Sequence, residues 1–506
     1  MNNATSPRAQ SFGSRLADLA RDEPDHPAVI FVPRAGGERR LSRRELNSES
    51  NRCARLLAGA GVHAGDVVVV GLPNSIEHYL VTLAIWKLGG CVLPLGPALP
   101  LVAREEMLAI AGARAAVADW DPCSVPTIRP HDLEQAATLS DEALPDQIAQ
   151  PGKAVASGGS TGRPKVIVDP RPWCGLPGQF ARAYRPFCGM QVGQVQLVAA
   201  PLYHNVPFLR SHLGLFEAHT LIVMERFDAA RAVELIERHG VNFAFLVPTM
   251  LLRMSRLPEI GQRDLSSLSA LSHSAAPCPE WVKRTWIDLV GAEHIYETYG
   301  ASEMEGMTWI RGDEWLDHPG SVGHPRQFDL RILDDRGAEC PAGTIGQIYL
   351  RDPTRPERPF LYLGDPPPPA TADGFLSAGD LGWVDEAGYL YLADRRVDLI
   401  VTGGANVYAA EVEGALSQHP RVDDVAVIGL PDADLGKRVH AVVQSVDPAA
   451  PPSSDELDAF ARRLLPPYKV PRSFEFVAAL PRNEAGKIQR SALAAARGGE
   501  PAVTNP

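Results

Sequence analysis

The run Ser157-Gly158-Gly159-Ser160-Thr161-Gly162-Arg163-Pro164-Lys165 gathers the residue types that hold a phosphate. Glycine lets backbone N–H groups come close to an anion, and hydroxyls and an ammonium add further donors. The run is not a strand-to-helix P-loop. It lacks the Gly-Lys-Ser/Thr ending, and its flanks, KAVA and VIV, both read as strands, so the loop should join two strands. On these residues alone a flexible surface loop is the competing reading.

The elements that would position such a loop alternate between helical and strand patterns. Asp228 can cap a helix with Val233, Leu235 and Ile236 on one side, Gly240 can close it, and VNFAFLV then reads as a buried strand. DVVVVGL (66–72) and HTLIVM (219–224) are short enough to be buried strands. This alternation predicts an α/β fold with largely parallel sheets. A chain of 506 residues exceeds one hydrophobic core. Its last hundred or so residues read as a small α/β unit. VDLIV (397–401), VDDVAVIGL (422–430) and RVHAVVQSV (438–446) read as strands. Helices are expected over 409–419 and from about Asp455 to Pro466. The expectation is a large multi-sheet N-terminal domain over 1–394 and a small α/β C-terminal domain over 395–506.

Composition excludes several classes. The 45% hydrophobic content is that of a globular protein, and a net charge of -12 disfavours nucleic acid and anionic membranes as partners. Cys53, Cys91, Cys123, Cys174, Cys188, Cys278 and Cys340 form no C-x-x-C pair, which favours free thiols over disulfides or zinc. The polar start MNNATSPRAQSFG has no signal-peptide core, and no apolar run is long enough for a membrane span. A cytoplasmic protein is expected.

The phosphate-type run resembles the signature Ser-Gly-Ser/Thr-Thr-Gly-x-Pro-Lys of the superfamily of acyl-CoA synthetases, non-ribosomal peptide adenylation domains and luciferases. Gly159 replaces one hydroxyl residue, and Val166 replaces the usual following glycine. Further motifs follow in the same order. Ser274-Ala275-Ala276-Pro277 resembles the adenine-pocket loop. Tyr299-Gly300-Ala301-Ser302-Glu303 resembles Tyr-Gly-x-Thr/Ser-Glu. Ser377-Ala378-Gly379-Asp380 resembles Thr-Gly-Asp, and Asp394-Arg395-Arg396-Val397-Asp398 resembles the hinge segment. Pro481-Arg482-Asn483-Glu484-Ala485-Gly486-Lys487 resembles the closing lysine motif. Among these families the chain is most similar to free-standing acyl- or aryl-CoA ligases.

The resemblance implies activation of a carboxylic acid by ATP to an acyl-AMP, then transfer to coenzyme A, with Mg²⁺ as cofactor. Two anions must meet in the first step, so cations and fixed donors are needed where charge accumulates. By resemblance, Ser157, Gly158, Gly159, Ser160, Thr161, Gly162 and Lys165 cradle the phosphates. Ser302 meets the α-phosphate, and Glu303, with Thr161, holds Mg²⁺. Ser274, Ala275, Ala276, Pro277, Tyr299 and Gly300 surround adenine; Asp380 and Arg395 bind ribose. Lys487, on a mobile C-terminal domain, reaches the reacting carboxylate and α-phosphate. That domain then swings about Val397, and Gly403 and Gly404 let the pantetheine arm pass. For Thr402-Gly403-Gly404 a simple strand-to-helix turn is the alternative.

Pro201-Leu202-Tyr203-His204-Asn205 resembles the segment lining the acyl pocket, with His204 beside the carboxylate; a structural histidine is the alternative. Phe208, Val247, Met250, Ala275, Ala301, Met304 and Met307 are the expected walls. No aspartate stands beside His204 to hold a substrate ammonium, so the expected acid is not an amino acid but an aromatic or polycyclic one. No carrier-protein domain follows Lys487 in this sequence, which favours a CoA ligase. Loading of a separate carrier protein, adenylation of another oxyanion such as nitrite, and a non-catalytic adenylate sensor stay open, as does a homodimer.

Overall fold

A short β-branched run needs both of its faces covered, and Val67–Gly71 shows how this chain does it: it is an inner strand of a seven-stranded sheet, between Cys91–Pro94 and Ala115–Ala118. In the computed structural model, residues 9–120, 123–158, 164–301, 306–354, 360–364, 367, 370–377, 379–395, 398–403, 405–482 and 488–499 are described, with only the backbone at 157, 158, 164, 394 and 395. The seven-stranded sheet runs Leu361–Leu363, Pro164–Asp169, Lys153–Gly158, Cys91–Pro94, Val67–Gly71, Ala115–Ala118, Thr127–Ile128. It is parallel from Lys153–Gly158 to Thr127–Ile128 and antiparallel across the hairpin at its other end.

An eight-stranded sheet runs Thr308–Arg311, Ile295–Tyr299, Ala270–His273, Phe243–Leu246, Val195–Val198, Thr220–Met224, Pro27–Val32, Arg39–Ser42. Its six inner strands are parallel and both edge strands antiparallel. Helices Phe12–Asp22, Arg43–Gly59, Ile76–Lys87 and Asn205–Phe216 lie between the two sheets. They share one core with Val68 and Val92 of the first sheet and Val29, Leu221 and Phe243 of the second. Helices Ala229–His239, Pro248–Ser255 and Glu280–Val290 cover the opposite face of the eight-stranded sheet. Local signals start and stop these helices as expected. Asp228 accepts a hydrogen bond from the Arg231 N–H, and Gly240 closes the helix in the left-handed region at φ 58°.

A third sheet of the large domain departs from the parallel expectation. Ser321–Gly323, Leu390–Arg395, Asp380–Val384, Gly346–Arg351 and Asp329–Leu333 pair antiparallel throughout. The reason is connection length: tight turns such as the one at Asp385 and Gly388 leave no room for the crossover helix that a parallel pair needs. The smaller C-terminal unit holds Ala405–Val407, Ile400–Thr402, Gly436–Ser445 and Val422–Asp432, with Ser473–Val477 added parallel to Gly436–Ser445. Helices Ala409–Leu416 and Ser454–Ala461 complete a separate core there. The expected strand at 397–401 starts later, at Ile400. All seven cysteines are free thiols. Among the described residues no helix is long and apolar enough to cross a membrane.

Candidate active site

The phosphate-type run begins where its flanks predict. Lys153–Gly158 and Pro164–Asp169 form an antiparallel hairpin with Ser157 opposite Lys165 and Gly158 opposite Pro164. Gly159, Ser160, Thr161, Gly162, Ser302, Glu303, Met304, Gly404 and Lys487 lie outside the described residues, as do the side chains of Ser157 and Arg395. Lys165 is buried at the hairpin end.

Elsewhere in the large domain, segments distant in sequence converge. Tyr299 ends its strand, and its hydroxyl donates to the Asp380 carboxylate at 2.8 Å. Asp380 opens the strand Asp380–Val384, and Arg395 faces it across the antiparallel ladder. Thus the aromatic ring, the acid and the backbone of the arginine expected at a nucleoside stand together. Ser274 follows the buried strand Ala270–His273 half-buried, while Ala275, Ala276 and Pro277 are exposed. Ala275 holds φ at 77°, a conformation that side chains rarely adopt. Gly300 is exposed, and a Cβ there would stand 3.1 Å from the Gly306 carbonyl oxygen.

His204 is half-buried at the N-terminal cap of helix Asn205–Phe216, its ring 4.5 Å from the Tyr203 ring centroid. Two residues that sequence reasoning missed fasten this segment. Asn74 donates to the carbonyls of Ala200 and Met224 at 3.1 and 3.0 Å and accepts from the Leu202 N–H at 2.8 Å. Lys153, on the phosphate-type hairpin, donates to the Asn205 side-chain oxygen. Burial pushes the Lys153 ammonium down to about 8. The hairpin and the start of the His204 helix are therefore tied by a hydrogen bond. The only sequence signal for Asn74 was a polar residue between a buried strand and a helix.

The expected pocket walls divide. Val247, Ala301 and Met307 are half-buried, and Met250 is buried in the core of the outer helices. Phe208 must be withdrawn as a wall. It has no exposed surface, and its ring packs on His212, Trp86 and His78 between helices. Residues 204, 208 and 212 share one helix face, and beyond its N-terminal cap that face turns away from the eight-stranded sheet. For Gly403 the structure sets aside the alternative of a strand-to-helix turn. It sits at φ 55° in a hairpin turn between Ile400–Thr402 and Ala405–Val407, not in a strand-to-helix turn.

A buried ion pair underlies the strand that ends at Tyr299. Lys283, in helix Glu280–Val290, donates to Glu297, in the strand that ends at Tyr299, and lies 4.7 Å from the Trp315 ring centroid. His273, just before the Ser274 loop, is 3.9 Å from the same carboxylate. Burial holds His273 neutral, pushed down to about 4.

Comparison with known proteins adds the following. The model of the AMP-binding enzyme family matches residues 16–355, and that of the AMP-binding enzyme C-terminal domain matches 411–487. A fatty acid–[acyl-carrier-protein] ligase, ScoC, of Streptomyces coeruleorubidus is 28% identical over 97% of this chain and 98% of its own. A feruloyl-CoA synthase of an Amycolatopsis species is 31% identical over 95% and 98%. The o-succinylbenzoate CoA synthetase MenE of Bacillus subtilis, solved with its acyl-adenylate intermediate, superposes with a TM-score of 0.80 at 26% identity, covering 98% of this chain and 100% of that one.

Proposed function

The chain belongs to the AMP-binding enzyme family, and from that premise we propose that it activates a carboxylic acid with ATP and passes the acyl group to coenzyme A. In the first step a carboxylate oxygen attacks the α-phosphorus and pyrophosphate leaves, giving acyl-AMP. In the second, the thiol sulfur attacks the acyl carbon, loses its proton, and AMP leaves. The observation that carries the reading is the meeting of Tyr299, Asp380 and Arg395, which suits a nucleoside: a ring for the base and a carboxylate able to accept from two ribose hydroxyls.

The remaining roles rest on the motifs. Ser160 and Thr161 would cradle the β- and γ-phosphates, and Ser302 would meet the α-phosphate. Mg²⁺, held by Glu303 and Thr161, would offset phosphate charge. Lys487 would donate to the reacting oxygens from a C-terminal domain beginning near 395 that moves between the two steps. The acid is proposed to be aromatic or polycyclic, bounded by Val247, Ala301 and Met307, and the enzyme to act in the cytoplasm. The carrier-protein ligase among its relatives supports a second acceptor, a phosphopantetheinylated carrier protein.

Pyrophosphate release with ATP and a panel of acids tests the activation step, and product mass after adding CoA or a phosphopantetheinylated carrier protein identifies the acceptor. No acid-dependent pyrophosphate would overturn the reading. Lys487→Ala should slow acyl-AMP formation on the order of 10²–10³-fold, the usual loss for one preorganised donor. Thioester formation from synthetic acyl-AMP should fall far less; equal losses would mean that the lysine is structural.

A further inference from the structure

We propose that Arg210 binds a second carboxylate of the acid substrate, at the end of the acyl site remote from His204. This deepens the acid-activation reading and rests on it. Arg210 is in helix Asn205–Phe216, two residues past Phe208, and is only 4% exposed. Its Nη1 is buried with no hydrogen-bond partner. Its guanidinium carbon lies 5.2 Å from the centroid of the Phe245 ring, and among the described residues no carboxylate pairs with it. A guanidinium stays charged at any physiological pH, and a buried charge without a counter-ion is strongly disfavoured.

The groups beside Arg210 do not supply the missing anion. Tyr184 and Cys188, on helix Gln179–Cys188, sense its charge, but burial outweighs it and pushes both acids up, so both are neutral at pH 7. Asp169, whose charge also reaches Tyr184, is hydrogen-bonded to Arg171. Among the described residues no carboxylate serves as its counter-ion, which leaves the position open to an anion from outside.

Location points to the acid substrate. Six residues of helix separate Arg210 from His204, about 9 Å along the axis. Phe245 stands two residues before Val247, a proposed pocket wall at the cap that follows its strand. Ser272 is paired with Phe245 across the parallel strands and stands two residues before Ser274. The Ser272 hydroxyl is also buried without a partner. A guanidinium with an unpartnered Nη1 and an unpartnered hydroxyl therefore lie beside Phe245, two or three residues in sequence from Val247 and Ala275, which are proposed to face the acid. A planar carboxylate matches the guanidinium in bidentate geometry and can accept from the hydroxyl as well. The class inferred is a dicarboxylic acid whose two carboxylates are separated by a ring or an extended chain.

The test uses the full-length enzyme and a matched pair, 3-phenylpropionate and 3-(4-carboxyphenyl)propionate, with kcat/KM read from pyrophosphate release. The wild type should prefer the diacid by about 10- to 100-fold, the usual weight of a charge-assisted hydrogen bond. In Arg210→Met this ratio should collapse towards unity through KM, and Arg210→Lys should keep part of it. An equal or better rate with the monoacid in the wild type would overturn the inference, whether or not the variants fold, and would leave acid activation standing. Calorimetric titration of the wild type and Arg210→Lys with the diacid, without ATP, separates the two readings. Binding to the wild type that weakens in Arg210→Lys, with no pyrophosphate from any acid, would overturn activation and keep the site. No binding and no preference would overturn the site.

Discussion

Two buried cations pack against opposite faces of the eight-stranded sheet, and they are solved differently. Lys283 is 1% exposed, paired with Glu297 and set over the Trp315 ring. Arg210 is 4% exposed and set over the Phe245 ring, with its Nη1 unpaired. Burial and an aromatic neighbour are common to both; among the described residues only Lys283 has a carboxylate partner. The first arrangement binds the strand of Tyr299 to an outer helix and belongs to folding. The second holds a charge in reserve on the side where the acid is proposed to enter.

The contrast breaks first at the closed pair. Glu297→Gln leaves Lys283 buried beside a neutral amide, and loss of one partner of a buried pair costs about 3–5 kcal/mol. Urea unfolding at pH 7 measures it, and a loss under about 1 kcal/mol would mean that the pair is not structural. Arg210→Met should have the opposite sign. Replacing an unpaired buried charge by an apolar chain of similar length should raise stability without substrate by about 1–3 kcal/mol. A clear fall in the unfolding midpoint would place Arg210 with Lys283 as a structural cation.

Acidification probes both faces together. Burial pushes His78 and His212, on the helices between the sheets, down to about 3, and His273, beside Glu297, to about 4. Unfolded, each takes up a proton near pH 6.5. Between that value and the folded ones the unfolded chain binds more protons, so stability falls as pH drops, by about 1.4 kcal/mol per pH unit for each histidine. Urea midpoints from pH 8 to 5 should be flat above about 7 and decline below 6.5, and His212→Gln should reduce the slope. An equally steep decline in that variant would remove His212 from the account. The smallest effect is expected at the nucleoside end. Tyr299→Phe removes the hydroxyl that donates to Asp380, about 1 kcal/mol for one partly exposed hydrogen bond. The KM for ATP should rise several-fold with little change in stability; an unchanged KM would detach this pair from nucleotide binding.

What the sequence determined by itself was local or written in contiguous motifs. The hairpin around 159–163 was legible because both flanks carry strand patterns, and its ladder follows them. The helix from Ala229 was legible because Asp228 and Gly240 act within one turn of its ends. Tyr299, Asp380 and Arg395 were singled out by the family resemblance; that the Tyr299 hydroxyl meets Asp380, and that Asp380 pairs with Arg395 along the ladder, no local pattern requires. Only the tertiary structure decided which face of helix Asn205–Phe216 meets the sheet. Phe208 was the natural choice for a pocket wall because it is large and apolar, yet that character suits the interior between helices equally well, and there it lies. The third sheet's antiparallel order likewise came from turn lengths rather than strand patterns. Lys283 and Glu297 stand fourteen residues apart, and neither looks buried in sequence. A charged side chain shows its type in sequence, but whether it ends in water, against a counter-ion or alone depends on what packs over it, and that is set by contacts between elements distant along the chain.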